Sequence, residues 1–234
     1  MGPEAAERVA EIGRSHSLTP GQVEQLSRLL DLLERDPHAP TTVRSPQEAA
    51  DRHVADALSA LAAPELARAA TIADLGSGAG VPGLVLACAL PSADVRLVEA
   101  THRKCAFIAA AAQEMGLANA TVVCRRVEEW AEGAGAHGAV TARALAPQPV
   151  ALEYAAPLLR PGGVFVDWRG RRDPGEERAA AAAAKQLGME RTSILTTVPF
   201  AGARDHHLHV FTKVAPTPER FPRRPGIARK RPLR

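Results

Sequence analysis

The apolar positions of this chain change their period once, near residue 70. Before that point they recur at helical spacing: Val9 and Ile12, then Val23, Leu26, Leu29, Leu30 and Leu33, each set on one face of a 3.6-residue repeat. Thr19-Pro20 offers an N-cap and a first-turn proline, which divides residues 5–35 into two helices. A loop holding Pro37, Pro40 and Pro46 follows, and a further helix is predicted from about Gln47 to Leu61. Residues 1–70 contain no strand pattern and read as a helical cap.

From residue 71 onward strand-like runs alternate with helices. Thr71-Ile72-Ala73, Asp94–Val98, Ala120–Cys124, His137–Ala142 and Val164–Trp168 predict five strands, and Arg191–Val198 and His206–Phe211 predict a closing pair joined by a short turn. Leu84–Leu90, Gln148–Leu159 and an alanine-rich stretch near 175–187 read as helices, the second stopped by Pro161-Gly162-Gly163. Such alternation specifies an α/β fold: a mostly parallel, seven-stranded, Rossmann-like sheet with helices on both faces and an antiparallel hairpin at one edge. The expected organisation is therefore a cap (1–70), a main domain (71–215) and a short tail (216–234).

The candidate chemistry lies just after the first strand, in Asp74-Leu75-Gly76-Ser77-Gly78-Ala79-Gly80-Val81-Pro82-Gly83. Glycines let the chain turn tightly there and leave no Cβ between backbone and a bound nucleoside. Pro82 suits the first turn of the next helix. Gly78, Gly80 and Gly83 satisfy the dinucleotide spacing G-x-G-x-x-G. Asp74, Gly76, Gly78 and Gly80 satisfy D-x-G-x-G-x-G, the loop of S-adenosylmethionine (AdoMet) methyltransferases. The second frame fits better, because a dinucleotide loop puts its first glycine directly after the strand, and that residue is Gly76, which leaves Val81 as the third. Glu99, ending the second strand, is a candidate acceptor for both ribose hydroxyls. Val127 and Glu128, after the third strand, are candidates for contacts to adenine.

Composition narrows the class. The chain has 234 residues, 46% hydrophobic but only 3% aromatic, so its helices are expected to be slim and closely packed. It holds no run of about 18 apolar residues, so no membrane span is expected. Met1-Gly2-Pro3-Glu4 lacks a signal-peptide pattern, which points to a cytoplasmic protein. Cys88, Cys105 and Cys124 are expected to be buried thiols, not a disulfide or metal set. His206, His207 and His209 are expected to be a strand-surface cluster without a metal. Net charge is +3, yet Pro216–Arg234 carries seven basic residues and one acid, so the body is slightly acidic. The prolines of that stretch, Pro216, Pro218, Pro222 and Pro225 among them, predict an arm that is extended and mobile in isolation and that attracts nucleic acid.

These residues together resemble the bacterial 16S rRNA guanine-N7 methyltransferase G family, also called glucose-inhibited division protein B. The resemblance is carried by Asp74–Gly83 with its Val81-Pro82-Gly83 ending, and by Thr42-Val43-Arg44 with Arg52-His53 and Asp56. Arg126-Val127-Glu128-Glu129, Ala142-Arg143-Ala144-Leu145-Ala146 and the tail Phe221-Pro222-Arg223-Arg224-Pro225-Gly226 with Lys230-Arg231-Pro232-Leu233 complete it. It departs at Asp36-Pro37-His38-Ala39-Pro40 and at Arg169, where the family has aromatic and asparagine residues and a lysine.

The resemblance implies AdoMet as cofactor, held by Gly76, Val81, Val127, Glu128 and Arg143 with Glu99 on the ribose, and a guanine in the decoding-region loop of small-subunit rRNA as substrate. Gly78 and Gly80 belong to the same cofactor loop. Guanine N7 carries a lone pair and no proton, so transfer there requires positioning, not a general base. Accordingly Ala142-Arg143-Ala144 stands where amino-group methyltransferases carry an Asp/Asn-Pro-Pro-aromatic motif. Arg143 is the candidate catalytic residue, either pairing with the methionine carboxylate or donating to guanine O6. His53 and Asp56 are candidates for the substrate face. The expected partner is 16S rRNA or the small subunit, engaged by a monomer. Three alternatives remain open on these residues: a small-molecule AdoMet methyltransferase, an NAD-dependent oxidoreductase and a non-catalytic RNA-binding module.

Overall fold

A computed structural model describes residues 1–234. Helices α1 (Pro3–Ser15) and α2 (Pro20–Arg35) form as the periodicity predicts. Thr19 caps α2 in a reciprocal box, its hydroxyl accepting from the Gln22 amide while the Gln22 side chain accepts from the Thr19 amide. The third predicted helix starts as α3 (Pro46–Ala49), widens into a π turn over Ala50–Ala55, and continues as α4 (Asp56–Leu58) and a 3-10 turn. A short α5 (Pro64–Ala67) leads into the sheet.

The strands are β1 (Thr71–Leu75), β2 (Asp94–Glu99), β3 (Ala120–Cys124), β4 (His137–Arg143), β5 (Leu159–Arg169), β6 (Met189–Thr197) and β7 (His206–Lys213). They form one sheet in the order β3-β2-β1-β4-β5-β7-β6. β1 to β5 are parallel, while β7 runs antiparallel to both β5 and β6. β5 begins five residues before the predicted Val164, because Leu159 pairs with His137 across a register shift. Helices α6 (Gly83–Ala89), α7 (His102–Met115), α8 (Gln148–Ala155) and α9 (Pro174–Gln186) cross between strands. Pro82 is the residue before α6, its carbonyl accepting the first helical bond from Leu86, and so stands one position earlier than predicted.

Alternating strand positions feed two separate cores. Ile72, Val95, Leu97 and Val166 pack with α6, α7 and the helical cap, whose Leu26, Leu29, Leu30 and Leu33 are buried. Ala73, Leu75, Val98 and Phe165 pack with α8 and α9, where Ala180, Ala183 and Ala184 allow close approach. Because β1 to β4 are parallel, the loops after all four emerge at one sheet edge. Chain order reverses between β1 and β4, and a crevice opens at such a switch point.

Three expectations are corrected. The tail is not a free arm: Phe221 and Ala228 are buried in the α8/α9 core, and Ile227–Lys230 forms a helical turn, α10. Cys105 and Cys124 form a disulfide, and only Cys88 is a free, buried thiol. Pairing of Glu99 with Cys124 across β2 and β3, and the fold-back of α7, bring the two together in space although 19 residues separate them. His209 is buried against Gln148 instead of lying on the surface. No helix is long and apolar enough to cross a membrane.

His137 at the start of β4 is 4% exposed, neither ring nitrogen has a partner, and its ring lies 5.1 Å from that of Trp130. Burial, aided by Arg96, pushes its pKa down to about 4. The folded chain therefore holds it neutral, a contribution to stability that is complete above the ordinary imidazole pKa and lost as pH falls from about 6.5 toward 4. His137→Phe is expected to keep Tm at pH 8 and to lose less Tm than the wild type between pH 7 and 5, checked by thermal melts across that range.

Candidate active site

The glycine loop takes its shape from three positive φ angles, +67° at Gly76, +57° at Gly78 and +83° at Gly80. A Cβ on Gly76 would stand 2.6 Å from the Leu145 side chain. The loop is tied down at both ends: the Gly76 amide donates to Val98 O at 2.8 Å, and the Gly80 amide to Ser77 O at 2.7 Å. Its turn brings the Gly78 amide to Glu99 Oε2 at 3.2 Å, while the Thr101 amide donates to Glu99 Oε1 at 2.9 Å. Both carboxylate oxygens are thus fixed by backbone donors, and each keeps a lone pair for a further donor.

Glu99 faces a cavity of about 280 Å³ at the switch point. Its walls include Gly76, Lys104, Val127, Glu128, Leu145 and Tyr154. A carboxylate with one free acceptor site on each oxygen suits a vicinal diol, and a glycine wall suits a flat nucleoside. The donor set therefore fits an adenosine-bearing cofactor. Gly78, Gly80 and Val81 do not line this cavity. Gly78 serves through its amide on Glu99, and Val81 is buried in the core beside α6.

Arg143 points elsewhere. Its Nη1 donates to Asp56 Oδ2 at 2.9 Å and to Arg52 O at 2.8 Å, and its Nη2 lies 3.4 Å from His53 Nδ1. His53 Nε2 is 2.9 Å from Thr41 Oγ1. Burial, then the Arg143 charge, push the His53 pKa down to about 4, so the ring is neutral near pH 7. The π turn of residues 50–55 presents Arg52 and His53, with Asp56 following at the start of α4, an irregularity that recurs at functional positions. Arg143 and Asp56 line a second cavity of about 500 Å³, together with Trp168, Arg169, Arg204 and His206. Ala144, at φ +54°, lines both cavities.

Arg169 braces the partition between them. Its Nη2 donates to Ala146 O at 2.9 Å and its Nε to Asp167 Oδ2 at 2.7 Å. Burial pushes the Asp167 carboxyl up to about 6, against the pull of Arg169.

The structure thus brings together Gly76, Glu99, Val127 and Glu128 in one chamber, and Arg143, His53 and Asp56 beside the next. Sequence reading missed Tyr154, Leu145, Gly226 and Arg229 on the first cavity. It also missed Trp168 and Arg204 on the second, and the reach of His206 Nδ1 to Asp56 Oδ1 at 3.1 Å. Leu145 and Gly226 stand in segments that carry the family resemblance, and Tyr154 is the one tyrosine of the chain, but no local pattern places any of them on the cavity.

Comparison with known proteins agrees with this architecture. A SAM-dependent O-methyltransferase from Thermotoga maritima superposes with a TM-score of 0.57 at 18% identity, covering 82% of this chain and 73% of that one. A cofactor-bound protein from MTB gives 0.55 at 18% identity, covering 84% and 91%. These likenesses concern the fold. In sequence, the ribosomal RNA small subunit methyltransferase G of Rubrobacter xylanophilus is 39% identical, over 82% of this chain and 76% of its own. Its namesake in Chloroflexus aggregans is 38% identical over 92% of both. That of Deinococcus deserti is 34% identical over 100% of this chain and 98% of its own. The profile of the GidB family, rRNA small subunit methyltransferase G, matches residues 22–208, and the chain belongs to that family.

Proposed function

We propose that this protein transfers a methyl group from AdoMet to N7 of a guanine in the decoding-region loop of 16S rRNA. The observation that carries the reading is the Glu99 carboxylate, gripped by the Gly78 and Thr101 amides and turned into a chamber that shares Ala144 with a cation-rich neighbour. Gly76 and Glu99 hold the ribose side of the cofactor, and Val127 and Glu128 the adenine side. When bound, AdoMet would supply a sulfonium methyl carbon for the in-plane N7 lone pair to attack, the C–S bond breaking as the N–C bond forms and S-adenosylhomocysteine leaving as a neutral thioether, with no proton to remove. The chain's task is therefore geometric, and effective molarities of about 10⁵ M or more are available to well-aligned reactants.

Arg143 is the proposed catalytic residue on the substrate side. Asp56 and the neutral His53 fix its guanidinium, leaving N–H groups for guanine O6. A donor at that position selects guanine, because adenine carries an amino group there. Arg171 and Arg204 around the second cavity supply charge for RNA phosphates. The exposed Arg220, Arg224, Lys230, Arg231 and Arg234 extend that charge along the tail. The small-molecule alternative has less support, since each relative described above is named for rRNA methylation. The protein is proposed to work as a cytoplasmic monomer on rRNA or the small subunit.

Nucleoside mass spectrometry of 16S rRNA from a strain lacking this protein is expected to show one 7-methylguanosine missing, restored by the wild-type chain. An unchanged modification profile would end the reading. Two variants separate the chambers. Glu99→Ala is expected to weaken AdoMet binding roughly 100-fold, the equivalent of losing one or two charge-assisted hydrogen bonds. Arg143→Ala is expected to lower kcat about 100-fold or more while cofactor Kd stays within about threefold, read by calorimetry and single-turnover methylation.

A further inference from the structure

The tail leaves β7 at Lys213 and returns across α8 to the cofactor chamber. Lys213 is 4% exposed, and its ammonium donates to Ala156 O at 3.0 Å and Leu187 O at 3.1 Å. Phe221 then enters the α8/α9 core. Two residues on, the Arg223 Nε donates to Glu153 Oε1 at 2.8 Å, and its backbone amide donates to the same oxygen at 3.2 Å. The Glu153 side chain is 1% exposed, so this ion pair is a buried latch on α8.

Beyond the latch the chain crosses between two loops of the site. The Gly226 amide donates to Glu128 Oε1 at 3.1 Å, on the loop after β3. The Arg229 Nη2 donates to Leu145 O at 3.1 Å, on the loop after β4. Both residues line the Glu99 cavity together with Gly76 of the glycine loop. Arg229 is exposed and also lies against the buried Tyr154, another residue of the cavity wall.

We propose that the C-terminal segment is a working part of the cofactor site: Gly226 and Arg229 close the nucleoside side of the chamber, and the Glu153–Arg223 pair holds them there. The inference rests on AdoMet as the ligand of that chamber. It gives the basic tail a task besides attracting RNA, since displacing the segment opens the wall over the nucleoside. The profile match ends at residue 208, before this segment begins.

Calorimetry on the full chain, on Arg229→Ala and on a chain ending at Pro225 tests it, with S-adenosylhomocysteine and 5′-methylthioadenosine as probes. The shortened chain keeps Phe221 and the Glu153–Arg223 pair but gives up Ala228 and the Arg223 bond to Arg231 O, so a drop in Tm is expected for it. Arg229→Ala leaves those contacts in place and is expected to melt within a few degrees of wild type. Arg229→Ala is expected to weaken both ligands about fivefold, and the truncation about tenfold or more, by the same factor for each because the contacts are to the nucleoside. Variant affinities within twofold of a wild type that binds would overturn the inference and leave the function standing. A loss confined to S-adenosylhomocysteine would also overturn it, because it would assign the segment to the amino-acid end. A wild type that binds neither probe would remove the function itself, and this inference with it.

Discussion

One buried carboxylate organises the site. Asp74, fully buried at the end of β1, accepts from Thr141 Oγ1 of β4 at 2.9 Å and from the Gly83 amide at the start of α6 at 3.2 Å. Its own backbone carbonyl accepts from Ser77 Oγ at 2.9 Å. Burial pushes its pKa upward while these donors pull it down, and the two carboxylate bonds tie β1 to β4 and to the start of α6. A Cβ on Gly83 would stand 2.8 Å from Asp74 Oδ2, which is why a glycine closes the motif. That glycine matches the dinucleotide spacing by coincidence, since it makes room for a carboxylate and not for a pyrophosphate.

The consequence of this bracing is a division of labour across a thin partition. On one side, backbone amides of the glycine loop and of Thr101 hold Glu99 in the wall of the first cavity. On the other, Arg143 is aimed by Asp56, by the Arg52 carbonyl and by a neutral His53. Ala144 stands between, in a backbone conformation that side chains rarely adopt, and Arg169 holds the following loop through Ala146. Strain at such a junction is tolerated only where its surroundings over-determine it. A methyl transfer that needs no proton acceptor is served by this kind of rigid, two-sided alignment.

Much of the framework was legible because it is local. Thr19-Pro20 announces α2, the period change near residue 70 announces the sheet, and the acid ending β2 marks the wall of the first cavity. What stayed hidden depends on distant partners. The tail's prolines and arginines describe how it behaves alone, yet Phe221 and the buried Glu153 supply a docking place that no local pattern encodes. Cys105 and Cys124 meet only through strand pairing. His209 owes its burial to Gln148 on α8 and to its neighbour Asp167, not to its own strand. The π turn that delivers Arg52 and His53 to Arg143 leaves no mark in the hydrophobic period.

The account stands on the Asp74 brace making a cofactor cradle, and calorimetric titration of AdoMet into the wild type and into Asp74→Asn tests that most directly. An amide cannot accept at both positions that Thr141 and Gly83 occupy, so the variant should stay folded by circular dichroism yet bind at least tenfold more weakly than a wild type binding one equivalent. Equal affinities in the two proteins would contradict it.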